Sequence, residues 1–445
     1  MIWRRILSAL QLEFVDNEIT AWGGLAILKN LMDQSGFQEK LSSLPLPAQG
    51  SNRGHSPVQL ITQFMASLWC GANRYSHLDV SRFDTTIQKL FDWERMPEHK
   101  AFQRYFGKFT SYRTHDEIFG ELYRWFFSNI AFDNFTLDID SSVITRYGDQ
   151  DASCKGYNPR KPGRNSHHPL IAFVADVEMV ANFWLRPGDA HTANNFQSFL
   201  EETLSHFPNK KIGLLRLDSG FYSRKTFEYL ESRDQKTEYV VAVPMHVSIQ
   251  RKLAELRTWM KIENGIEIGE FEYQAPEWAA PRRMISVRQK VSERPKAVGK
   301  QLSIFDDEID YGGYRYTCYI TSLSIGPAEV WRLYRGRANC ENRIKELKYD
   351  YGLDKMNQAS FDGTEASLSF MTIAYNFMSL FRQCVISEKV RSRLSTLRYK
   401  LLAIPSFIEK SAEGSVIKMA LQMKRRAWIQ MLWEKSRRFE CVNSA

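Results

Sequence analysis

Between residues 133 and 245, strand-like and helix-like segments alternate, and this order constrains the fold more than any other feature. Residues 135–142, FTLDIDSS, alternate apolar and polar side chains, and two apolar runs, LIAFVADV and MVANFWL, follow. Residues 192–207 have a helical pattern, and KIGLLRLD has the continuous apolar sequence of a buried strand. With the helix and strand that follow, the order β, β, β, α, β, α, β predicts an α/β fold with a mixed sheet.

Two carboxylates stand at the ends of these strands. Asp140 lies near the end of the first strand, where Asp138 shares its face, and Asp218 ends the run KIGLLRLD. Ligand sites collect at the carboxyl ends of buried parallel strands. Asp218 is therefore expected at the edge of the sheet where a ligand binds.

A third acid belongs to a polar stripe in the segment WRLYRGRANCENRIKELKYD, residues 331–350. Its members follow one another by three, four and seven residues. Seven residues fall about 20° short of two helical turns, so these side chains line one face of a helix. The stripe consists of Tyr334, Arg337, Glu341 and Lys348. Taken alone, it also fits a solvated helix face in which Glu341 pairs with neighbouring cations.

Carboxylates from three separate elements can converge on divalent cations, which prefer oxygen ligands. Two such ions, about 4 Å apart, activate a water or a 3′-hydroxyl and stabilise the leaving oxygen in phosphoryl transfer. We therefore expect Asp140, Asp218 and Glu341 to lie within a few ångströms of one another and to hold a pair of Mg²⁺ ions, for which Mn²⁺ can substitute. No P-loop, GxSxG or HExxH motif indicates another chemistry.

These residues carry a resemblance to a known family. LDIDSS, LRLDSGF and the stripe Y-x2-R-x3-E-x6-K resemble the DDE transposases of bacterial insertion sequences that carry this signature. LDIDSS, KGYNP and GRANCENRIKELKYD are similar to the insertion sequence 1380 family, over roughly residues 20–385. The resemblance implies an RNase H-like catalytic domain with flanking helices. It also implies an enzyme that binds terminal inverted repeats, cuts double-stranded DNA at the element ends and joins 3′-hydroxyls to target DNA.

The resemblance also assigns roles within the signature. Asp140, Asp218 and Glu341 would bind the metal ions, and the stripe's other members, Tyr334, Arg337 and Lys348, would contact transposon-end DNA near the cleaved phosphate. Asp138 and Glu346 are the rival acids. The family places the catalytic Asp directly before a pair of small hydroxyl residues, which favours Asp140, and Glu346 falls off the stripe.

A Gly/Pro-rich loop, KGYNPRKPGRNSHH, interleaves cations with aromatic side chains and suits contacts to the DNA backbone. Its predicted DNA-binding residues are Lys155, Tyr157, Arg160, Lys161 and Arg164. The other interpretation is a mobile surface loop. In related enzymes an aromatic residue of the insertion holds a flipped base, and no local motif here selects between Trp259 and Trp278, each of which also suits a core position.

The charge is concentrated at the end of the chain. Lys and Arg outnumber Asp and Glu by 60 to 51, which gives a net charge of +9. Residues 385–445 alone contain thirteen Lys and Arg but only five Asp and Glu. This balance favours a polyanionic partner. Basic residues around Trp428 and Trp433 predict a helix that holds phosphates and packs its tryptophans on a partner subunit, as in a homodimer that pairs two DNA ends. The other interpretation is a solvated basic helix on the core of its own chain.

The chain divides into five predicted regions. These are a helical DNA-end-binding region (1–130), the first part of the catalytic core (131–245), a mostly β insertion (246–325), the second part of the core with the Glu341 helix (326–385) and a basic helical C-terminal region (386–445). Six cysteines without a CxxC pair favour a reducing cytosol, and no apolar run approaches a membrane span. A cytoplasmic protein, associated with the nucleoid when bound to DNA, is therefore expected.

Two other functions stay open. An RNase H-like nuclease would cut DNA at the same metal site without joining ends. A regulator descended from a transposase would bind DNA without catalysis, and its expected mark is a lost acid, whereas all three acids are present.

Overall fold

A nine-stranded mixed sheet is the central element of the fold. The structure is a computed structural model that describes residues 12–50, 54–110, 112–233, 236–290, 313–387, 391–412, 414–439 and 442–443. The strands are β1 (Ile130–Ala131), β2 (Asn134–Ser141), β3 (Ile144–Thr145), β4 (Cys154–Lys155), β5 (Asn165–His167), β6 (Leu170–Val174), β7 (Met179–Trp184), β8 (Lys211–Leu217), β9 (Tyr239–Val243), β10 (Met260–Glu263), β11 (Ile266–Tyr273), β12 (Arg282–Lys290), β13 (Tyr314–Thr321), β14 (Ser406–Ser411), β15 (Gly414–Met419) and β16 (Val442–Asn443). The helices are α1 (Leu25–Gln34), α2 (Phe37–Ser42), α3 (Pro57–Trp69), α4 (Thr85–Leu90), α5 (His99–Phe106), α6 (Tyr112–Ser128), α7 (Phe196–Ser205), α8 (Arg224–Ser232), α9 (Val247–Glu255), α10 (Pro327–Arg335), α11 (Ala338–Glu346), α12 (Phe361–Phe381), α13 (Leu394–Leu397) and α14 (Met423–Ser436).

The central sheet has the strand order β10-β11-β12-β13-β9-β8-β2-β6-β7. β2 runs antiparallel to β6 and parallel to β8, and β8 runs parallel to β9. α7 connects β7 to β8, and α8 connects β8 to β9, as the hydrophobic periodicity predicts. The prediction of an α/β fold with a mixed sheet is therefore confirmed.

The strands of the predicted insertion extend this same sheet. β13 pairs antiparallel with β9, and β12, β11 and β10 follow as an antiparallel series. α9 precedes them in the chain. The insertion thus continues the sheet of the core from its β9 side.

A buried helix, α12, joins the N-terminal helices to the sheet. Nearly all of its 21 residues are buried, and α3, α5 and α6 pack against it. The Trp69 indole N–H donates to the Ala374 carbonyl over 3.1 Å. On the sheet side, Asn376 exchanges hydrogen bonds of 2.7 and 2.8 Å with the backbone of Val180. None of the helices among the described residues combines the length and apolar composition that a bilayer crossing requires.

The C-terminal region differs from the helical prediction. β14 and β15 form an antiparallel hairpin, and Gly414, which opens β15, has a φ of +131° that glycine tolerates best. The predicted basic helix is present as α14, but Trp428 and Trp433 pack against the hydrophobic core of their own chain. Both side chains stay partly exposed, so this packing agrees with a helix on the chain's own core, and contact with a partner subunit stays a prediction.

Candidate catalytic site at the carboxyl end of the sheet

Asp140 and Asp218 lie at the carboxyl ends of two neighbouring parallel strands. β2 and β8 are in register, and Ile139 pairs with Leu217. Asp140 and Asp218 follow this pair directly, so both acids reach the same edge of the sheet. The Asp140 Oδ1 accepts a hydrogen bond of 2.8 Å from the backbone N–H of Ser141. Strand polarity brings together two acids that are far apart in the sequence.

The guanidinium of Arg337 lies between these two carboxylates. Its Nη2 is 3.2 Å from Asp140 Oδ1 and 4.0 Å from Asp218 Oδ2, and it donates a long hydrogen bond of 3.4 Å to the Ile139 carbonyl. Burial raises the pKa of Asp140 to about 6, against the opposing effect of Arg337 and with a contribution from Asp218. Although burial disfavours the charge of Arg337, the facing Asp140 carboxylate raises the pKa of this guanidinium.

Two further members of the stripe contact the backbone at the same edge. Tyr334 donates its hydroxyl hydrogen to the Leu217 carbonyl over 3.3 Å. Lys348 donates to the Val143 carbonyl over 2.9 Å, and burial lowers the pKa of this ammonium to about 8. The stripe therefore faces the ends of β2 and β8, where the two acids lie. Contact of these side chains with DNA stays a prediction.

Glu341 lies on the same face of α11 but is more exposed. Arg337 precedes it by one turn and Lys348 follows it by two turns, and both reach the end of β2. The Glu341 side chain is 61% exposed and lies 3.8 Å from the Lys345 ammonium. No group of three or more His, Cys, Asp or Glu side chains in the described part of the chain is arranged to hold a metal ion. Convergence of all three acids on metal ions stays a prediction.

The pair Asp140 and Asp218 nevertheless fits a divalent cation. Both carboxylates already direct an oxygen at one cationic group, Arg337, and carboxylate oxygens are the ligands that Mg²⁺ prefers. The buried Nε of Arg337 has no hydrogen-bond partner among the described residues. The hydrogen-bonding capacity of the guanidinium is therefore only partly used between the two carboxylates.

The rival acid Asp138 has a structural role in the core. It is fully buried, and Arg216 binds both of its carboxylate oxygens, over 2.6 and 2.8 Å. Arg343 of α11 lies 3.6 Å from the same carboxylate. Arg216 also donates to the Leu333 carbonyl over 2.6 Å and occupies the space that a Cβ at Gly336 would fill. This cluster attaches α10 and α11 to the sheet.

The other rival, Glu346, is likewise held inside the protein. Its carboxylate accepts hydrogen bonds from Arg382 over 2.6 Å and from the backbone N–H of Leu394 over 2.9 Å. Arg391 lies 3.2 Å from its second oxygen. Through these contacts the carboxylate connects α11 with α13 and with the start of the π-helical turn (Arg382–Ile386) that follows α12.

Sequence reasoning missed a polar group beside Asp140. The Nε2 of His168 lies 3.1 Å from the hydroxyl of Ser141, which lies 3.2 Å from the hydroxyl of Thr192. Arg186 fixes this arrangement by donating to the His168 and Thr192 carbonyls. The signal in the sequence is the position of His168 just before the apolar run of β6, because β6 pairs with β2 and this pairing places His168 beside the end of β2.

The predicted DNA-binding loop lies near this edge of the sheet. β4 and β5 flank it and form a small three-stranded sheet with β3. Its predicted contact residues, Lys155, Tyr157, Arg160, Lys161 and Arg164, are all exposed. Burial lowers the pKa of Lys348, and the charge of Arg160 adds to this effect, which indicates that the loop lies within electrostatic range of the stripe.

The two candidate tryptophans of the insertion are both packed. Trp278 is buried, and the Arg282 guanidinium lies 4.6 Å from its ring centroid. The Arg288 guanidinium lies 4.3 Å from the ring centroid of Trp259, whose edge contacts Tyr316. Both side chains therefore have packing roles in this arrangement.

Comparison with known proteins identifies the family. The family model described as "Transposase DDE domain group 1" matches residues 7–440. No curated protein matches the chain. A solved structure, the cryo-EM structure of a piggyBac transposase synaptic complex with hairpin DNA, is similar with 12% sequence identity and a TM-score of 0.44, over 85% of this chain and 79% of that chain. On the family match, which spans nearly the whole chain, this protein belongs to the family of DDE transposase domains.

Proposed function

We propose that this chain is a cut-and-paste DNA transposase of the insertion sequence 1380 group. It binds terminal inverted repeats, cleaves the DNA at the element ends and joins the 3′-hydroxyls to target DNA at one site. The observation that carries this proposal is the meeting of Asp140 and Asp218 at adjacent strand ends, beside the helix face with Glu341. The strand order β7-β6-β2-β8-β9 supports an RNase H-like core.

Asp140, Asp218 and Glu341 would hold the metal ions in this site. Bound Mg²⁺, or Mn²⁺ in its place, supplies a Lewis acid that activates the attacking water or 3′-hydroxyl and stabilises the leaving oxygen. The cations Arg337 and Lys348 would bind phosphate oxygens, and the Tyr334 hydroxyl would donate to another. Both cutting and joining are phosphoryl transfers, so one set of residues serves both.

The DNA would pass over the basic loop beside this edge. Its exposed cations, Lys155, Arg160, Lys161 and Arg164, suit contacts to the phosphate backbone, and Tyr157 is 73% exposed. Because a transposition reaction handles two element ends, we propose that a homodimer forms on the DNA and supplies one site for each end.

Exposed cations of the C-terminal region are expected to add to this interface. The logarithm of the binding constant falls as the logarithm of the salt concentration rises. Replacing four of these cations by Gln should make this fall less steep, by roughly 0.9 for each cation that binds a phosphate, because fewer counterions are released. The four are Lys424, Arg426, Arg437 and Arg438, all on the exposed surface. The measurement is the affinity for an end duplex across a salt series.

Substitution is a better test than deletion of residues 420–445, because deletion would remove the buried Ile429 and Leu432 from the core. A fourfold variant of exposed insertion cations, with Arg251, Lys252, Arg257 and Lys261 replaced by Gln, controls for the same loss of net charge. Equal slopes for the fourfold C-terminal variant and the parent protein would show that the charge of the C-terminal region does not face DNA.

A strand-transfer assay tests the proposed reaction. With a labelled element end, a target plasmid and Mg²⁺, the protein should cut the end and then join its 3′-hydroxyl to the plasmid. Labelled end covalently attached to the plasmid is the expected product. Cleavage without joining would indicate the nuclease function instead, and binding without cleavage would indicate the regulator.

A further inference from the structure

We propose that Arg337 couples metal binding to DNA-end binding. In the free protein its guanidinium neutralises Asp140 and Asp218, and in the complex a phosphate of the DNA end takes the guanidinium and leaves both carboxylates to the metal. This inference rests on the proposed function, because it concerns the same acids and the same DNA.

The first step of the argument is that Arg337 and a metal ion compete for the same oxygens. The Nη2 of Arg337 is 3.2 Å from Asp140 and 4.0 Å from Asp218. A divalent cation bound by these two carboxylates would lie close to the guanidinium, in a buried place where like charges are poorly screened. The metal therefore binds weakly while Arg337 stays between the acids.

The second step is that the guanidinium can leave at small structural cost. Its Nε is buried without a partner among the described residues, and its hydrogen bond to the Ile139 carbonyl is long, at 3.4 Å. A phosphate would offer the bidentate acceptor geometry that this position lacks. The helix itself can stay in place, because Arg216 and Arg343 attach α10 and α11 to the sheet through Asp138.

The third step follows from linkage between the two ligands. If DNA releases the acids for the metal, DNA raises the affinity for metal, and metal must raise the affinity for DNA by the same factor. Removing the positive charge of Arg337 should therefore strengthen metal binding in the free protein. It should also remove most of the coupling, because the displaced group is no longer there.

The test is Mn²⁺ binding followed by electron paramagnetic resonance. Free protein is compared with protein bound to an end duplex whose 3′ terminus is dideoxy, so that no joining occurs. For the parent protein we expect the duplex to lower the Kd for Mn²⁺ about 10-fold or more. Arg337→Gln without DNA should bind Mn²⁺ about 10-fold more tightly than the parent protein, and the duplex should change its Kd less than about 2-fold.

The matched control is Arg332→Gln, which removes one exposed charge from α10 and should behave as the parent protein. If Arg337→Gln does not fold, Arg337→Met keeps the buried aliphatic stem without the charge and allows the same comparison. Unchanged or weaker Mn²⁺ binding by the folded variant without DNA would overturn the coupling. If Asp218→Asn leaves Mn²⁺ binding intact, the ion lies elsewhere and the proposed metal site fails as well.

Discussion

Asp218→Asn is expected to abolish cleavage of element ends while leaving the affinity for the end duplex within about threefold of the parent value. The substitution keeps the shape of the side chain and removes the negative charge that a metal ligand needs. We expect a loss of cleavage rate on the order of 10³-fold or more, about 4 kcal/mol of transition-state stabilisation. Glu341→Gln should have the same effect for the same reason.

The measurement is single-turnover cleavage of a labelled end in Mg²⁺, with binding measured separately in the absence of divalent metal. Glu228→Gln is the control, because it removes one acid from an exposed ion pair with Arg224 on α8. If Glu341→Gln cuts DNA at nearly the parent rate, a different acid is the third ligand. Glu341 is then part of a solvated helix face, where it pairs with Lys345.

Asp138→Ala is expected to lower the free energy of unfolding by roughly 3–5 kcal/mol, because it leaves buried guanidinium groups without their counterion. Arg216 and Arg343 are both nearly fully buried and both lie against this carboxylate. Water cannot replace Asp138 without entering the core. The measurement is urea unfolding followed by far-ultraviolet circular dichroism.

Glu270→Gln is the matched control, because Glu270 pairs with Arg283 over 2.6 Å in a partly exposed position on the insertion strands. Its expected effect is below about 1 kcal/mol, as for most surface ion pairs. Comparable destabilisation by the two variants would mean that water or a conformational shift solvates Arg216 and Arg343 in the Asp138 variant.

The parts of this structure that the sequence predicts are those that depend on local periodicity. The alternation in β2 and the continuous apolar run of β8 predict strands, and parallel pairing of the two then places Asp140 and Asp218 at one edge. The spacing of Tyr334, Arg337 and Lys348 likewise predicts a single helix face.

The remaining features depend on contacts between distant residues. Asp138 and Asp140 have the same periodicity, and only the position of Arg216, 78 residues away, gives Asp138 its structural role. The position of the Arg337 guanidinium likewise depends on a distant contact, its hydrogen bond to the carbonyl of Ile139, 198 residues before it. Local patterns contain no information on such pairs, so the sequence alone leaves both acids as candidates.

The burial of α12 has a consequence for synthesis on the ribosome. The apolar faces of α3, α5 and α6 are covered by a helix that ends at Phe381, about 250 residues after α6. At roughly 5–20 residues per second, these faces wait on the order of 12–50 s for their partner to be translated. During that interval the nascent N-terminal helices expose Phe and Trp side chains, and a chaperone that binds apolar segments would protect them. Depleting such chaperones should therefore lower the soluble yield of the full chain.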